Sequence, residues 1–174
     1  MTARHLAAAL LALLAACDAP TVITHVFRLP NIGESDLVAM QGPGGIPVEI
    51  HGRPWAGADP AALAGAMTGP AGAAAIRFKA RPVTGPAAHG SRVVLHFTPV
   101  GALSGPADCA RTAEAATGTP PDKGFAVNMT FCRGPEVEAQ GFLRALETEP
   151  GDYAAFSTAM RQLLLVVFRE EKDR

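Results

Sequence analysis

The stretch FAVNMTFCRGPEVEAQGFLRA, residues 125–145, decides the predicted fold. In its first run, residues 125–132, every second side chain is large and apolar, which is typical of a strand with one buried face. The next four residues, Arg133-Gly134-Pro135-Glu136, contain the glycine and proline that mark turns. A second run of strand-forming residues, 137–145, follows this turn. The sequence therefore predicts an antiparallel β-hairpin.

Two earlier runs, residues 75–81 (AIRFKAR) and residues 92–98 (RVVLHFT), show the same alternation of apolar and polar side chains. Each run predicts a strand with one buried and one solvated face. If the two strands pair, their positive side chains share the solvated face with His96: Arg77, Lys79, Arg81 and Arg92. Because a patch of like charge attracts an ion of opposite sign, these four residues are the predicted anion-binding site. The alternative is a solvated sheet face balanced by acidic residues such as Glu136 and Glu138.

A long amphipathic helix is predicted at residues 152–170, because its apolar side chains recur three and four positions apart. Asp152 is suited to cap its first turn. The other predicted elements are short: strands at residues 21–29 and 46–51, helices at residues 61–67 and 107–117, and a loop at residues 31–45. In the second of these strands, Pro47 favours an edge position.

Strands interspersed with helices predict an α+β fold, in which a mainly antiparallel sheet carries the long C-terminal helix. The alternative architecture is a β-sandwich with an appended helix. The length of 174 residues has room for one domain of ordinary size.

The first seventeen residues have the layout of an export signal. Arg4 precedes residues 6–14 (LAAALLALL), an apolar run far shorter than the ~20 residues of a membrane-spanning helix. The run ends in Leu14-Ala15-Ala16-Cys17, which resembles the lipobox of bacterial lipoproteins. This resemblance implies cleavage before Cys17, a thioether-linked diacylglycerol on that cysteine and acylation of the new amino terminus. Asp18 resembles the signal that retains such lipoproteins at the inner membrane, facing the periplasm.

The resemblance divides the chain into a signal peptide at residues 1–16, a lipid-anchor tether at residues 17–20 and one globular domain at residues 21–174. The membrane, reached through the lipid anchor, is then the first predicted partner. The alternative is an ordinary secretory signal in which Cys17 is incidental.

The predicted location also indicates the oxidation state of the other two cysteines. With Cys17 occupied by lipid, Cys109 and Cys132 remain in an oxidising compartment, where they are predicted to form a disulfide. For a loop of this length, the chain-entropy model gives about 3 kcal/mol of stabilisation. The alternative is two separate buried thiols.

Charge and motifs disfavour several classes of function. The chain has 15 basic and 16 acidic side chains, and loss of the signal peptide removes one basic group, so no positive excess favours nucleic acid as a partner. Hydrolase and phosphate-loop motifs are absent from the sequence. Four histidines are scattered singly and predict no metal site: His25, His51, His89 and His96. No cofactor is predicted.

The sequence therefore predicts an envelope lipoprotein whose domain is a non-catalytic binding or scaffolding module for a protein or another envelope component. The alternative is an enzyme that acts on envelope material through a site assembled from dispersed residues.

Overall fold

The computed structural model describes residues 21–70, 76–82, 90–97, 105–110 and 119–169. Within these residues the chain forms six strands and four helices. In chain order they are β1 (Thr21–Arg28), α1 (Glu34–Met40), β2 (Ile46–His51), α2 (Pro60–Ala66), β3 (Phe78–Arg81), β4 (Ser91–Phe97), α3 (Gly105–Ala110), β5 (Phe125–Arg133), β6 (Glu136–Ala145) and α4 (Tyr153–Phe168).

The six strands form one mixed sheet in the order β1-β6-β5-β4-β2-β3. Strands β1, β6, β5 and β4 pair antiparallel, whereas β2 runs parallel to both of its neighbours, β4 and β3. The predicted α+β fold with a C-terminal helix on the sheet is confirmed. The described strands form one sheet rather than the two of the alternative β-sandwich.

Strands β5 and β6 form the predicted hairpin. Arg133 pairs with Glu136, so that the turn consists of Gly134 and Pro135. Gly134 has a φ of 59°, a left-handed value that glycine adopts without the steric cost other residues meet. Because β5 also pairs with β4, the hairpin joins the β1 side of the sheet to the β2 and β3 side.

Helix α4 covers one face of the sheet and confirms the predicted C-terminal helix. The side chain of Asp152 caps it by accepting hydrogen bonds from the backbone N–H groups of Ala154 and Ala155, at 3.1 and 2.9 Å. The helix approaches β6 closely at Gly141, where an added Cβ would lie 2.7 Å from an α4 side chain. Its buried side chains are Phe156, Ala159, Met160, Leu163, Leu164, Val167 and Phe168.

The predicted pairing of β3 with β4 is wrong, because β2 lies between them. Val48 is opposite Ala80 of β3 on one side and Val93 of β4 on the other. The prediction that Pro47 marks an edge strand is therefore also wrong. Pro47 is tolerated because pairing with β4 begins one residue later, at Val48, so its missing N–H removes no bond to that strand.

Residues 31–45, predicted as a loop, contain helix α1. Its start is stabilised by Gly33, whose backbone N–H donates to Asp36 Oδ2 at 2.9 Å. Leu37 is the buried side chain of this seven-residue helix. A single buried position gives no periodicity, which explains why the sequence pattern did not indicate a helix.

The other short elements lie close to their predicted positions. Strand β3 begins three residues later than the predicted run, and α2 begins one residue earlier. Helix α3 covers the first part of the helix predicted at residues 107–117, and residues 111–118 lie outside the described residues.

Candidate functional site

The face of the sheet opposite α4 carries a buried polar cluster. Side chains alternate between the two faces of a strand, so the neighbours of the apolar core residues point to this second face. Seven polar or charged residues on it are less than a tenth exposed: Glu49, Arg92, His96, Asn128, Thr130, Glu138 and Gln140. Helix α3 packs over this face and adds an eighth, Asp108, which is fully buried.

Arg92 ties several elements together inside this cluster. Its Nε lies 3.1 Å from Glu49 Oε2 in an ion pair that joins β4 to β2. Its two Nη groups donate to the backbone carbonyls of Gly134 at 2.7 Å and Cys109 at 2.6 Å. Buried charges are retained when they are paired and hydrogen-bonded in this way.

These contacts correct the assignment of Arg92 to the anion-binding site. Its side chain is 1% exposed, and its guanidinium is occupied by Glu49 and two carbonyls. The alternation of β4 correctly places Arg92 and His96 on the face opposite the apolar core. That face is covered by α3 rather than solvated, which the pattern of one strand does not indicate.

His96 and Asp108 form the second pair of the cluster. His96 Nδ1 lies 2.9 Å from Asp108 Oδ1. The other carboxylate oxygen accepts from the Asn128 amide at 3.1 Å and from the Thr130 hydroxyl at 3.4 Å. The ring of His51, on the neighbouring strand, lies 5.7 Å from that of His96 between centroids.

A carboxylate that orients an imidazole through Nδ1 is also found in general acid–base catalysis. Here Asp108 is fully buried and His96 is 4% exposed. In the part of the chain that the structure describes, no hydroxyl or thiol is hydrogen-bonded to His96 as a nucleophile would be. The arrangement of these residues fixes α3 on the sheet.

The disulfide fixes the same helix. The Sγ atoms of Cys109, on α3, and Cys132, on β5, are 2.00 Å apart, and their Cα atoms are 5.5 Å apart. This bonding distance agrees with the predicted disulfide. Both residues are fully buried and contact Val94. The residue before Cys109 is Asp108, so the bridge and the polar cluster hold one six-residue helix in place.

Replacing both Cys109 and Cys132 with alanine is expected to lower the free energy of unfolding by about 2–5 kcal/mol, as for native disulfides of small exported domains. Denaturant unfolding of the oxidised wild type and the double variant measures the difference. Equal midpoints, or complete labelling of both wild-type cysteines by a thiol reagent in unreduced, denatured protein, would exclude the bridge.

Arg77, Lys79 and Arg81 are exposed, and we call these three residues the basic edge. Lys79 and Arg81 belong to β3, the last strand of the sheet, and Arg77 directly precedes it. None of the three forms an ion pair in the described residues.

A groove of about 340 Å³ runs beside the basic edge. One wall is the turn that leads into β2, in which Gly45 has a φ of 97° and would place a Cβ 2.7 Å from the Arg77 carbonyl. Glycine is therefore needed for the turn to approach the start of β3 this closely. The groove is lined by Gly44, Gly45, Pro47, Lys79, Ala80, Arg81 and Pro82.

The acidic residues that were expected to balance this charge lie elsewhere. Glu136 and Glu138 are on β6, which three strands separate from β3. Glu138 pairs with Arg133, at 3.3 Å between Oε1 and Nε. The carboxylate opposite Arg81 in the strand register is that of Glu49, which is buried against Arg92.

The structure separates the remaining predicted site residues. His25 lies on the outer strand β1, with its ring 6.3 Å from that of Phe142, and is remote in the sheet order from His96 on β4. His89 and the lipid-attachment residue Cys17 lie outside the described residues. Sequence reasoning missed Glu49 and Asp108. The one available signal was a carboxylate within the mainly apolar run IPVEIH, residues 46–51.

Within the described residues, no three His, Cys, Asp or Glu side chains are grouped to hold a metal ion. None of the described helices is long and apolar enough to cross a membrane. The chain matches no protein family model, no curated protein and no solved structure in the comparisons with known proteins.

Proposed function

We propose that the chain is a lipoprotein of the bacterial envelope, anchored through Cys17, whose domain is a non-catalytic module that binds an anionic envelope component. The observation that carries the binding function is the basic edge, where three exposed cations on an outer strand have no ion pair among the described residues. The lipobox resemblance of residues 14–17 supports the anchor.

The contrast between the two charged regions supports binding at the basic edge. In the buried cluster, Arg92 is paired with Glu49 on β2, and His96 is paired with Asp108 on α3. At the basic edge, the cations are exposed, lie beside a groove and follow one another at every second position. An incoming anion can therefore reach the cations of the basic edge, but not Arg92 or His96, without unfolding part of the domain.

Replacing Arg77, Lys79 and Arg81 together with glutamine is expected to weaken binding to immobilised polyglutamate about tenfold, since each exposed ion pair contributes roughly 0.5 kcal/mol. Binding of polyglutamate by the wild type should also weaken as the salt concentration rises, because charges are screened over about 8–10 Å. The free energy of unfolding of the triple variant should differ from that of the wild type by about 0.5 kcal/mol or less.

The matched control is a second triple glutamine variant that removes the same charge from three other exposed positions: Arg53, Arg144 and Arg161. It should bind polyglutamate like the wild type. If both triple variants lose binding equally, net charge alone is responsible and the basic edge is not a site.

A second candidate function, an enzyme acting on envelope material, is favoured by one observation, the His96 ring oriented by Asp108. The test is turnover of peptidoglycan fragments by the purified protein and by His96→Gln. Turnover that is lost in a folded His96→Gln variant supports the enzyme. If neither protein shows turnover, the enzyme is excluded for this substrate, and His96 and Asp108 have the structural role that their burial indicates.

A further inference from the structure

Exposed apolar side chains are concentrated at the β1 side of the sheet. Seven large apolar side chains are more than a third exposed in the described ranges: Val22, Val26, Phe27, Val38, Leu146, Leu165 and Val166. Three of them lie on β1 and a fourth, Leu146, directly follows β6. We call these four residues, Val22, Val26, Phe27 and Leu146, the apolar patch.

The pairing of β1 with β6 brings two residues of the patch, Val22 and Leu146, to one end of the strand pair. Thr21 is opposite Ala145, so Val22 and Leu146 lie at the same end of this strand pair. The two residues are 48% and 46% exposed. Farther along β1, a bulge between Thr24 and Phe27 includes His25 with a φ of 53°, and the consecutive residues Val26 and Phe27 are both 44% exposed.

The chain enters the domain at this end. Only residues 18–20 separate Cys17 from the first residue of β1, Thr21. Four extended residues reach at most about 14 Å, so a lipid on Cys17 would hold Val22 and Leu146 within that order of distance from the bilayer surface.

The positive charge of Lys123, near Leu146, is paired with acidic side chains. Lys123 Nζ lies 2.6 Å from a Glu147 carboxylate oxygen and 3.2 Å from one of Glu149. Hydrogen bonds first to Glu147 and then to Glu149 raise the pKa of Lys123, so its charge is already paired. Arg144, which is exposed and lies opposite Val22, adds one positive charge beside the exposed apolar side chains.

We propose that the apolar patch docks on the surface of the bilayer that carries the lipid anchor. This inference rests on the proposed lipidation of Cys17 and deepens it, because docking would orient the domain with β1 toward the membrane. The basic edge lies on the opposite edge of the sheet, five strand spacings or about 24 Å away. Membrane contact at β1 therefore leaves the groove beside β3 open to a partner.

The test uses the mature full chain, purified from membranes and reconstituted into vesicles of phosphatidylethanolamine and phosphatidylglycerol. Single variants Val22→Cys and Leu146→Cys introduce one labelling site each, since Cys109 and Cys132 are bridged and buried. Val38→Cys is the matched control. Val38 is 52% exposed on α1, three residues before Gln41, whose side chain bonds the Arg77 backbone at the opposite edge of the sheet.

Each cysteine receives an environment-sensitive fluorophore, and vesicles contain lipids spin-labelled near the headgroup as quenchers. We expect quenching and a blue shift at positions 22 and 146, and neither at position 38. Phe27→Cys provides a further patch position if either variant fails to fold. Equal emission and quenching at positions 22, 146 and 38, on protein whose mass shows lipid on Cys17, would overturn the docking inference alone.

Two other outcomes also decide the proposal. Absence of lipid from Cys17 would overturn both the anchor and the docking inference. A blue shift at position 22 that depends on protein concentration, in unlipidated Cys17→Ser protein without vesicles, would assign the patch to a second copy of the chain and overturn membrane docking.

Discussion

Replacing Glu49 with leucine is expected to lower the free energy of unfolding by about 3–5 kcal/mol, because it leaves a buried arginine without its carboxylate. Arg92 is 1% exposed, and its Nε lies 3.1 Å from Glu49 Oε2. Its carbonyl partners, Gly134 and Cys109, accept hydrogen bonds but carry no compensating negative charge. Denaturant unfolding measures the loss, and the free energy of unfolding should fall with denaturant concentration at the same slope in both proteins.

Two controls separate this effect from the loss of any glutamate. Glu147→Leu removes an ion pair with Lys123 that is about half exposed on both sides, and should cost about 1 kcal/mol or less. In a double variant, Glu49→Leu with Arg92→Met, neither buried charge of the pair remains, so the loss should be smaller than the sum of the two single losses. Additive losses would contradict the pairing.

Cys17→Ser is expected to abolish the lipid anchor completely, because the cysteine sulfur forms the thioether to diacylglycerol and a serine hydroxyl does not replace it. The wild type should partition into the detergent phase of a phase-separating detergent, and the variant into the aqueous phase. One acyl chain holds a protein only marginally at a membrane, whereas two or more hold it stably.

The control for Cys17→Ser is Cys132→Ser, which removes a cysteine from the domain and should leave detergent partitioning unchanged. Detergent partitioning of Cys17→Ser equal to that of the wild type would contradict the lipoprotein assignment.

The elements that the sequence predicted well are those whose signal is local. In the hairpin, residues 125–132 alternate and a Gly-Pro turn follows, so pairing and turn are encoded within about twenty residues. The C-terminal helix has both a cap at Asp152 and apolar spacing of three and four. The Cys109–Cys132 pair followed from the compartment implied by the lipobox, and agrees with the bonding distance in the structure.

The order of the strands depends on contacts between distant parts of the chain. Strand β2 inserts between β3 and β4 by two parallel pairings, and residues 46–51 carry no local signal for either partner. This insertion separates Arg92 from the basic edge. Together with the cover that α3 provides, it divides the predicted four-residue anion site into three exposed residues, Arg77, Lys79 and Arg81, and one buried structural arginine.

The buried polar cluster was also beyond sequence analysis, for a different physical reason. A polar residue alternating with apolar ones indicates a solvated face unless another element covers it. Helix α3 provides that cover, and it brings Asp108 to His96 from twelve residues away in the chain. Neither residue forms a recognisable motif with its sequence neighbours, so only the folded chain shows the pair.

Photo-crosslinking in intact envelopes tests whether the anchored domain binds an envelope component at its basic edge. A photoreactive amino acid replaces Lys79, and in a control it replaces the exposed Arg53. We predict an adduct from position 79 that is absent from position 53 and is lost when Arg77 and Arg81 are changed to glutamine. No adduct from position 79, or the same adducts from both positions, would contradict the claim.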